Sequence, residues 1–285
     1  MSDPSASLAA VLFMDKTLAR RLERTEGAIN ASFIDARRAL ALAASEAAPP
    51  LAWRDFDGTY AMFDGVGSPM TQTFGLGLFQ PTCDGELAAI EAFFRSFGSP
   101  TIHEVSPLAG VQAFGLLQER GYAPIELTNV LARSLDDSPL PTAALTPDLR
   151  VRTTTCDEAE SWIVASIAGW GDTPDQAAHL RAIAEVAFAN PAVVSFVVER
   201  GGQPIATGSL GIHEGVALLA GASTVPTERG RGAQKALLAA RLAEAKRRGC
   251  DVALLCAEPG STSQNNAERS GFRVAYTRTK WRLAS

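Results

Sequence analysis

The sequence contains few of the residues that build metal, redox or disulfide sites. It has four cysteines and three histidines in 285 residues. The cysteines show neither the Cys-x-x-Cys spacing of zinc sites nor the density of a disulfide framework; they are Cys83, Cys156, Cys250 and Cys256. We therefore expect no bound metal, and reduced thiols of the kind found in a cytoplasmic protein.

Long apolar runs and a basic charge balance are also missing. No stretch reaches the roughly 18 consecutive apolar residues that cross a bilayer, and the short apolar run at residues 8–14 follows an acidic start without a basic region. The formal net charge of −5 argues against a nucleic-acid binder. We expect no membrane span, no signal peptide and no nucleic-acid partner, and the oligomeric state stays open.

A proline-rich segment divides the chain. Residues 136–148 contain Pro139, Pro141 and Pro147 among small and polar residues, a composition typical of an extended connector. The length of the chain is comfortable for two domains. We therefore predict one domain at residues 1–135, a linker at 136–148, and a second domain at 149–285.

Hydrophobic periodicity predicts the element order of the second domain. It indicates a strand, two helices, three strands, a helix, a strand, a short helix and a final strand. The apolar run at residues 252–256 is continuous, as in a strand that is buried on both faces of a sheet. The final strand, at residues 272–283, is expected to close this domain.

The clearest chemical signal is the segment 223–238, in which a strand ends and an Arg/Gly loop becomes a helix. A helix start presents about four unpaired N–H groups and roughly half a positive charge. Gly230 and Gly232 lack a Cβ, so a phosphate group can approach the main chain closely. Nearby cations are Arg229, Arg231 and Lys235. The segment therefore predicts an anion site.

This loop resembles the acyl-CoA pyrophosphate loop of the GNAT superfamily of N-acetyltransferases. The family pattern is Arg or Gln, two residues, Gly, one residue, then Gly or Ala. Arg229 matches the first position of this pattern and Gly232 matches the glycine. Gln234 stands at the last position, where the pattern has Gly or Ala, and its longer side chain can point away from the ligand. Residues 263–272, a serine on a short helix that ends in Gly-Phe, are similar to a second motif of the family. The resemblance covers about residues 148–285 and implies an α/β (α+β) fold with a mixed sheet flanked by helices.

The first half repeats the plan in faded form. Helices are expected at residues 6–22 and 28–48, and strands, helices and a last strand follow in the same order as in the second half. At the place of the Arg/Gly loop, however, Pro81-Thr82 is followed by Asp84 and Glu86, and no Arg-Gly repeat is present. We therefore predict two tandem GNAT-like domains, of which the N-terminal one has no CoA site.

The resemblance also implies which residues contact acetyl-CoA. Main-chain groups of Thr224 and Val225 would pair with pantetheine, and the loop and helix start would hold the pyrophosphate. Ser263 would lie near the pantetheine arm, or would instead hydrogen-bond to its own helix backbone. The predicted cofactor-binding residues are Thr224, Val225, Arg229, Gly230, Arg231, Gly232, Ala233, Gln234 and Ser263.

The catalytic residues are harder to identify. Many family members carry a glutamate on the strand that enters the loop, but residues 215–225 contain no acid, which leaves Glu214 as the nearest candidate for the general base. The tyrosine that often protonates the departing thiolate in the family is replaced by Ala267, and Tyr276 is a candidate substitute. An exposed hairpin residue and a packed tyrosine are the alternative interpretations of these two.

The predicted activity is the transfer of an acetyl or short acyl group from acetyl-CoA to a primary amine by direct attack in a ternary complex. The acceptor is a small-molecule or peptide amine that the sequence does not identify. A non-catalytic acyl-CoA binding or sensing module is the alternative. A Rossmann nucleotide site is disfavoured, because the Gly230-Arg231-Gly232 segment lacks the third spaced glycine.

Overall fold

The computed structural model describes residues 12, 14–44, 50–136, 140–141, 147–170 and 174–283. The helices in these ranges are α1 (Lys16–Ala43), α2 (Asp84–Arg95), α3 (Val111–Glu119), α4 (Ala159–Trp170), α5 (Pro174–Ala189), α6 (Ala233–Arg247) and α7 (Thr262–Arg269). The strands are β1 (Ala52–Phe56), β2 (Thr59–Phe63), β3 (Gln72–Phe74), β4 (Ile102–Val105), β5 (Tyr122–Ser134), β6 (Leu149–Thr153), β7 (Val193–Arg200), β8 (Gln203–His213), β9 (Val216–Thr224), β10 (Val252–Ala257) and β11 (Arg273–Leu283).

All strands of the described residues join one sheet, in the order β1-β2-β3-β4-β11-β5-β10-β9-β8-β7-β6. Neighbouring strands are antiparallel except at two places, β3–β4 and β9–β10. Each parallel pair is connected by one helix, α2 in the first half and α6 in the second. The repeat of element order that the sequence predicts is therefore present in the fold.

The last strands of the two halves change places. β5 lies between β10 and β11 and pairs antiparallel with both, and β11 continues to β4. The expectation that residues 272–283 close the second domain is therefore wrong, since β11 reaches β10 only through a strand of the first half. Whether the chain divides into separate domains at 136–148 stays a prediction.

The N-terminal helix is longer than expected. Where the sequence predicts two helices, the structure has the single helix α1, which begins after the N-cap Asp15; the carboxylate of Asp15 accepts a hydrogen bond from the Leu18 N–H at 2.8 Å. Gly27 does not break the helix, because it packs directly on Tyr60: a Cβ at this position would lie 2.8 Å from the tyrosine ring. The part of the first predicted helix that precedes residue 12 lies outside the described residues.

Helices cover both faces of the central strands. Leu237 and Leu242 of α6 pack in one core cluster with Ala253 and Leu255 of β10. On the opposite face, the N-terminal helix α1 contributes Leu18 and Leu22 to a second cluster with Val252 and Leu254 of the same strand. The prediction that β10 is buried on both faces is confirmed, and one of the covering helices comes from the first half of the chain.

Candidate active site

The parallel strands β9 and β10 separate in the middle of the sheet. Pairing covers three positions, of which the last joins Leu254 to Leu218. Beyond it, β9 continues to Thr224 and β10 to Ala257 without pairing to each other. Ala220 and Gly221 are solvent-exposed although their strand lies inside the sheet. We call this gap, between residues 219–224 and 255–257, the β9–β10 slot.

A β-bulge lies on the β9 side of the slot. Thr207 is opposite Ser223 and Ser209 is opposite Ala220, so β9 has one residue more than β8 over this stretch. Gly221 lies within the bulge with a φ of 60°, a left-handed conformation that suits glycine. The bulge turns main-chain groups of β9 away from regular strand pairing at the level where the slot opens.

A buried arginine supports the bulge from the α6 face. The guanidinium of Arg241 donates from Nη1 to the carbonyl oxygens of Ser209, at 3.2 Å, and Ala220, at 3.3 Å. Burial lowers the pKa of Arg241 to about 10, which still leaves the side chain charged at neutral pH. A positive charge therefore lies directly under the strand that borders the slot.

The Arg/Gly loop follows the slot along the chain. Gly230 and Gly232 have φ values of 75° and 88°, and a Cβ on either residue would meet no atom within 4 Å. Gly232 is the N-cap of α6, and no side chain caps the helix there. The open N-terminus of a long helix beside two accessible glycines is a geometry that an anion can bind, and the anion site itself stays a prediction.

The cations of the loop have different surroundings. Arg229 donates to the carbonyl oxygens of Thr224, at 3.2 Å, and Gly169, at 2.9 Å, and so connects the loop to the end of β9 and to α4. Arg231 is largely exposed and lies 3.3 Å from the Glu228 carboxylate. Lys235 is exposed on the first turn of α6. Arg231 and Lys235 are therefore cations of the loop and helix start that face solvent.

The remaining predicted cofactor residues lie at the end of β9 or on α7. The Gln234 side chain donates to the Thr224 hydroxyl at 2.7 Å. The Val225 N–H donates to the Ile205 carbonyl at 2.9 Å. Ser263 is exposed, and Ser261 rather than Ser263 caps its helix. Ala233 is buried at the start of α6.

The two predicted catalytic side chains do not reach the slot. Glu214 is at the tip of the β8–β9 hairpin, before the first residue of β9, and its exposed carboxylate lies 3.9 Å from His213. The slot opens at the other end of β9. Tyr276 lies on β11, which β5 separates from β10. Its buried hydroxyl donates to Glu23 at 2.7 Å, a packed arrangement that the sequence analysis named as the alternative.

A buried charged cluster, which the sequence analysis missed, lies between α1 and the exchanged strands. Arg278 forms two hydrogen bonds to the Glu26 carboxylate, at 2.8 and 3.1 Å, and lies within 3.5 Å of Glu23 and 3.4 Å of Glu104. The Cys256 sulfur is 3.3 Å from Glu26 and 3.2 Å from Arg278. No local pattern could identify this cluster, because its members come from α1, β4, β10 and β11.

Burial shifts the pKa values in the cluster. Burial raises the pKa of Glu23 to about 7, in spite of the nearby Arg278 charge. Burial also raises the pKa of Cys256 well above its usual value, and a neighbouring carboxylate adds to the shift. Cys256 is therefore a thiol rather than a thiolate at neutral pH. Among the described residues, no group of three or more His, Cys, Asp or Glu side chains is arranged to hold a metal ion. No helix in the same part of the chain has the length and apolar character to cross a membrane.

Comparisons with known proteins relate a segment of the chain to a family and its fold to solved structures. Residues 156–272 match the model of the Acetyltransferase (GNAT) family. The fold is similar to a GCN5-related N-acetyltransferase from Kribbella flavida, with a TM-score of 0.62 and 15% identity over 90% of this chain and 96% of that chain. It is also similar to the tandem GNAT protein from the clavulanic acid biosynthesis pathway, with a TM-score of 0.54 and 14% identity over 89% and 94% of the two chains.

A third similar structure is a GCN5-related N-acetyltransferase from Sphaerobacter thermophilus, with a TM-score of 0.56 and 18% identity over 74% of this chain and 71% of that chain. A comparison with curated protein sequences gives no match. The match to the GNAT family therefore covers residues 156–272, and the chain has a fold like that of GNAT N-acetyltransferases, including a tandem GNAT protein, as the sequence analysis predicted.

Proposed function

We propose that the chain is an N-acetyltransferase that transfers an acetyl group from acetyl-CoA to a primary amine. The observation that carries the proposal is the coincidence of the β9–β10 slot with the Arg/Gly loop. The exposed main chain at Ala220 and Gly221 lies on the strand that runs into the loop with Gly230 and Gly232. A thioester in the slot and a pyrophosphate on the loop can therefore belong to one extended ligand.

In this proposal the pyrophosphate binds to the main chain from Gly230 to the first turn of α6. Ala233 and Gln234 contribute N–H groups of that first turn. Arg231 and Lys235 supply charge from solvent-exposed positions. The three remaining residues of the predicted set at the loop and strand end, Thr224, Val225 and Arg229, have positioning roles. Arg229 and the side chain of Gln234 both bond to Thr224, and Val225 bonds to β8.

Pantetheine would extend along β9, with the acetyl group near the bulge and the exposed Ser263 on the other side of the arm. The amine nitrogen attacks the thioester carbon, the C–N bond forms, and the C–S bond breaks. N–H groups near the bulge would stabilise the oxyanion of the tetrahedral intermediate. A thiol has a pKa of about 8.5, so the CoA thiolate can leave with little acid assistance. No enzyme nucleophile is required, and the protonated state of Cys256 agrees with direct attack.

The test is to incubate the full chain with acetyl-CoA and a panel of primary amines, and to measure thiol release together with the mass of the product. We expect release that depends on the amine, with a gain of one acetyl group. An acyl-CoA binding or sensing module would bind acetyl-CoA and release no thiol on addition of any amine. That outcome would reject the enzyme in favour of the module.

The same samples test the prediction for the first half. Asp84 and Glu86 lie in the first turn of α2, where a phosphate would meet negative charge. We therefore expect calorimetry to give one CoA per chain. A stoichiometry of two would contradict the proposed loss of the N-terminal site.

Glu214 as base and Tyr276 as acid stay predictions, but their positions favour other roles. A Glu214→Gln substitution removes the carboxylate and keeps its shape. Because Glu214 lies at the far end of β9 from the loop, we expect an acetylation rate close to that of the wild type. A fall of about 10²-fold at neutral pH, with recovery at high pH, would instead restore Glu214 as the base.

A further inference from the structure

The slot has a wall that the first half of the chain contributes. The parallel register joins Leu254 to Leu218, so Cys256, two residues further along β10, is level with Ala220 on the other side of the slot. Side chains alternate along a strand, and Val252 and Leu254 both face α1. Cys256 therefore also points to the α1 face, where its sulfur lies 3.3 Å from the Glu26 carboxylate.

The charged cluster is accessible at this end. The side chains of Glu23, Glu104 and Arg278 are 1%, 4% and 2% exposed, whereas that of Glu26 is 12% exposed and Cys256 is half-buried. Glu26 is thus the carboxylate of the cluster that borders the slot and has access to solvent.

A buried serine hydroxyl on the same face of the sheet lacks a hydrogen-bond partner among the described residues. Ser209 is 6% exposed, and its hydroxyl has no hydrogen-bond partner among the described residues. Its oxygen lies 3.6 Å from the position that a Cβ on Gly221 would take. Gly211, two residues further along the same strand, packs against Ile29 of α1, which assigns this side of β8 to the α1 face. An unpaired buried hydroxyl beside the bulge fits a site that receives a polar ligand.

The charge of the cluster favours an ammonium ion. Three carboxylates share Arg278, and they are Glu23, Glu26 and Glu104. The second cation, Lys280, lies at the far side of the cluster, 3.2 Å from Glu104 and 2.6 Å from Glu126. Arg278 also contacts Glu26 and Cys256, but its side chain is 2% exposed, so Glu26, at 12%, is the charged group of this ion pair that a ligand in the slot can reach.

We propose, on the basis of the proposed function, that Glu26 is the general base and that the acceptor is a primary amine bound as its ammonium ion between the two halves. Glu26 takes one proton from the ammonium nitrogen. The freed lone pair forms the C–N bond to the thioester carbon, and collapse of the intermediate breaks the C–S bond. The second nitrogen proton passes to the departing sulfur, and Glu26 releases its proton to solvent. The half without a CoA loop thereby supplies a residue of the reaction.

The substitution Glu26→Gln tests this role in the full chain. At neutral pH the rate of amine acetylation is expected to fall about 10²-fold or more, while the Kd for CoA measured by calorimetry stays within about twofold. The rate is expected to recover as the pH approaches the pKa of the amine. It is also expected to recover with an aromatic amine, which is already neutral at pH 7 and needs no base. A merely structural role for Glu26 would produce no such dependence on the amine.

Glu126→Gln is the matched control, since Glu126 is an exposed carboxylate on β5 that contacts Lys280 at the far side of the cluster from the slot. It is expected to leave the rate near that of the wild type, and Glu26→Asp, which keeps the charge, controls for folding. The pH profiles of the variants are compared directly, because Glu23, Tyr276 and Cys256 also face the cluster. Equal losses in Glu26→Gln and Glu126→Gln, or a wild-type rate in Glu26→Gln across the pH range, would overturn the assignment. An inactive wild type would instead reject the proposed function itself.

Discussion

Substitution of Gly232 by glutamate separates the stability of the fold from the binding of CoA. Gly232 is exposed, has a φ of 88°, and has open space where a Cβ would lie. A side chain therefore collides with no protein atom, and the cost to the fold is limited to left-handed backbone strain of about 1–2 kcal/mol. The new carboxylate, in contrast, would occupy the position in front of α6 where the proposed function places the pyrophosphate.

The loss of affinity follows from the contacts at the helix start. A hydrogen bond from an N–H group to a charged acceptor contributes about 1.5–3 kcal/mol. Loss of two such bonds raises Kd by about 10²–10⁴-fold, before any repulsion between the charges is counted. Calorimetry with CoA measures this loss, and thermal unfolding measures the strain.

Gly249 provides a matched control on the same helix. It has a φ of 79° and equally open space, but it follows the C-terminal end of α6. Gly249→Glu is expected to cost the same stability as Gly232→Glu and to leave CoA affinity unchanged. Unchanged affinity in a folded Gly232→Glu protein, or an equal loss in both variants, would refute the proposed pyrophosphate site.

Three further substitutions test buried polar groups, one in the first half of the chain and two near the site. Burial lowers the pKa of His103 to about 3, below its unfolded value of about 6.5. The unfolded chain therefore binds the extra proton, and the free energy of unfolding falls by up to about 4–5 kcal/mol as the pH drops from about 6.5 towards 3. His103→Gln should flatten this dependence in urea titrations at several pH values. Arg241→Met removes the buried donor beneath the bulge and is expected to lower the free energy of unfolding by about 1–3 kcal/mol, and an unchanged urea midpoint would contradict the supporting role. Tyr276→Phe removes the hydrogen bond to Glu23 and is expected to change the rate of thiol release by less than about threefold, whereas a much larger loss would support Tyr276 as the acid.

The conformation of the Arg/Gly loop could be predicted from sequence because it is a local structure. The spacing of Gly230, Gly232 and the following helical residues determines both the turn and the helix start, with no contribution from distant residues. The two helices after β6 were predicted for the same reason, since their apolar periodicity lies within one segment. A signal for the bulge was also present, because glycine inside a strand, such as Gly221, is typical of one.

The charged cluster could not be predicted, because its geometry depends on the exchange of strands. Arg278 and Glu26 are 252 residues apart in sequence. They meet because β11 lies in the first half of the sheet, beside α1, rather than next to β10. The sequence around Glu26 predicts an amphipathic helix, and the sequence around Arg278 predicts a strand with polar side chains. Neither pattern contains information about the other.

The exchange also gives a physical reason for the presence of a half without a CoA loop. β10 forms one side of the slot, and its outer edge pairs with β5 over residues 129–134. A fragment of residues 149–285 would lack β5 and α1, leaving the edges of β10 and β11 unpaired and the apolar face around Leu254 uncovered. We expect this fragment to aggregate or to bind CoA weakly, and we expect co-expression with residues 1–136 as a separate chain to restore binding. A monomeric fragment that binds CoA like the full chain would mean instead that the second half can close its own sheet, and that β5 is replaceable.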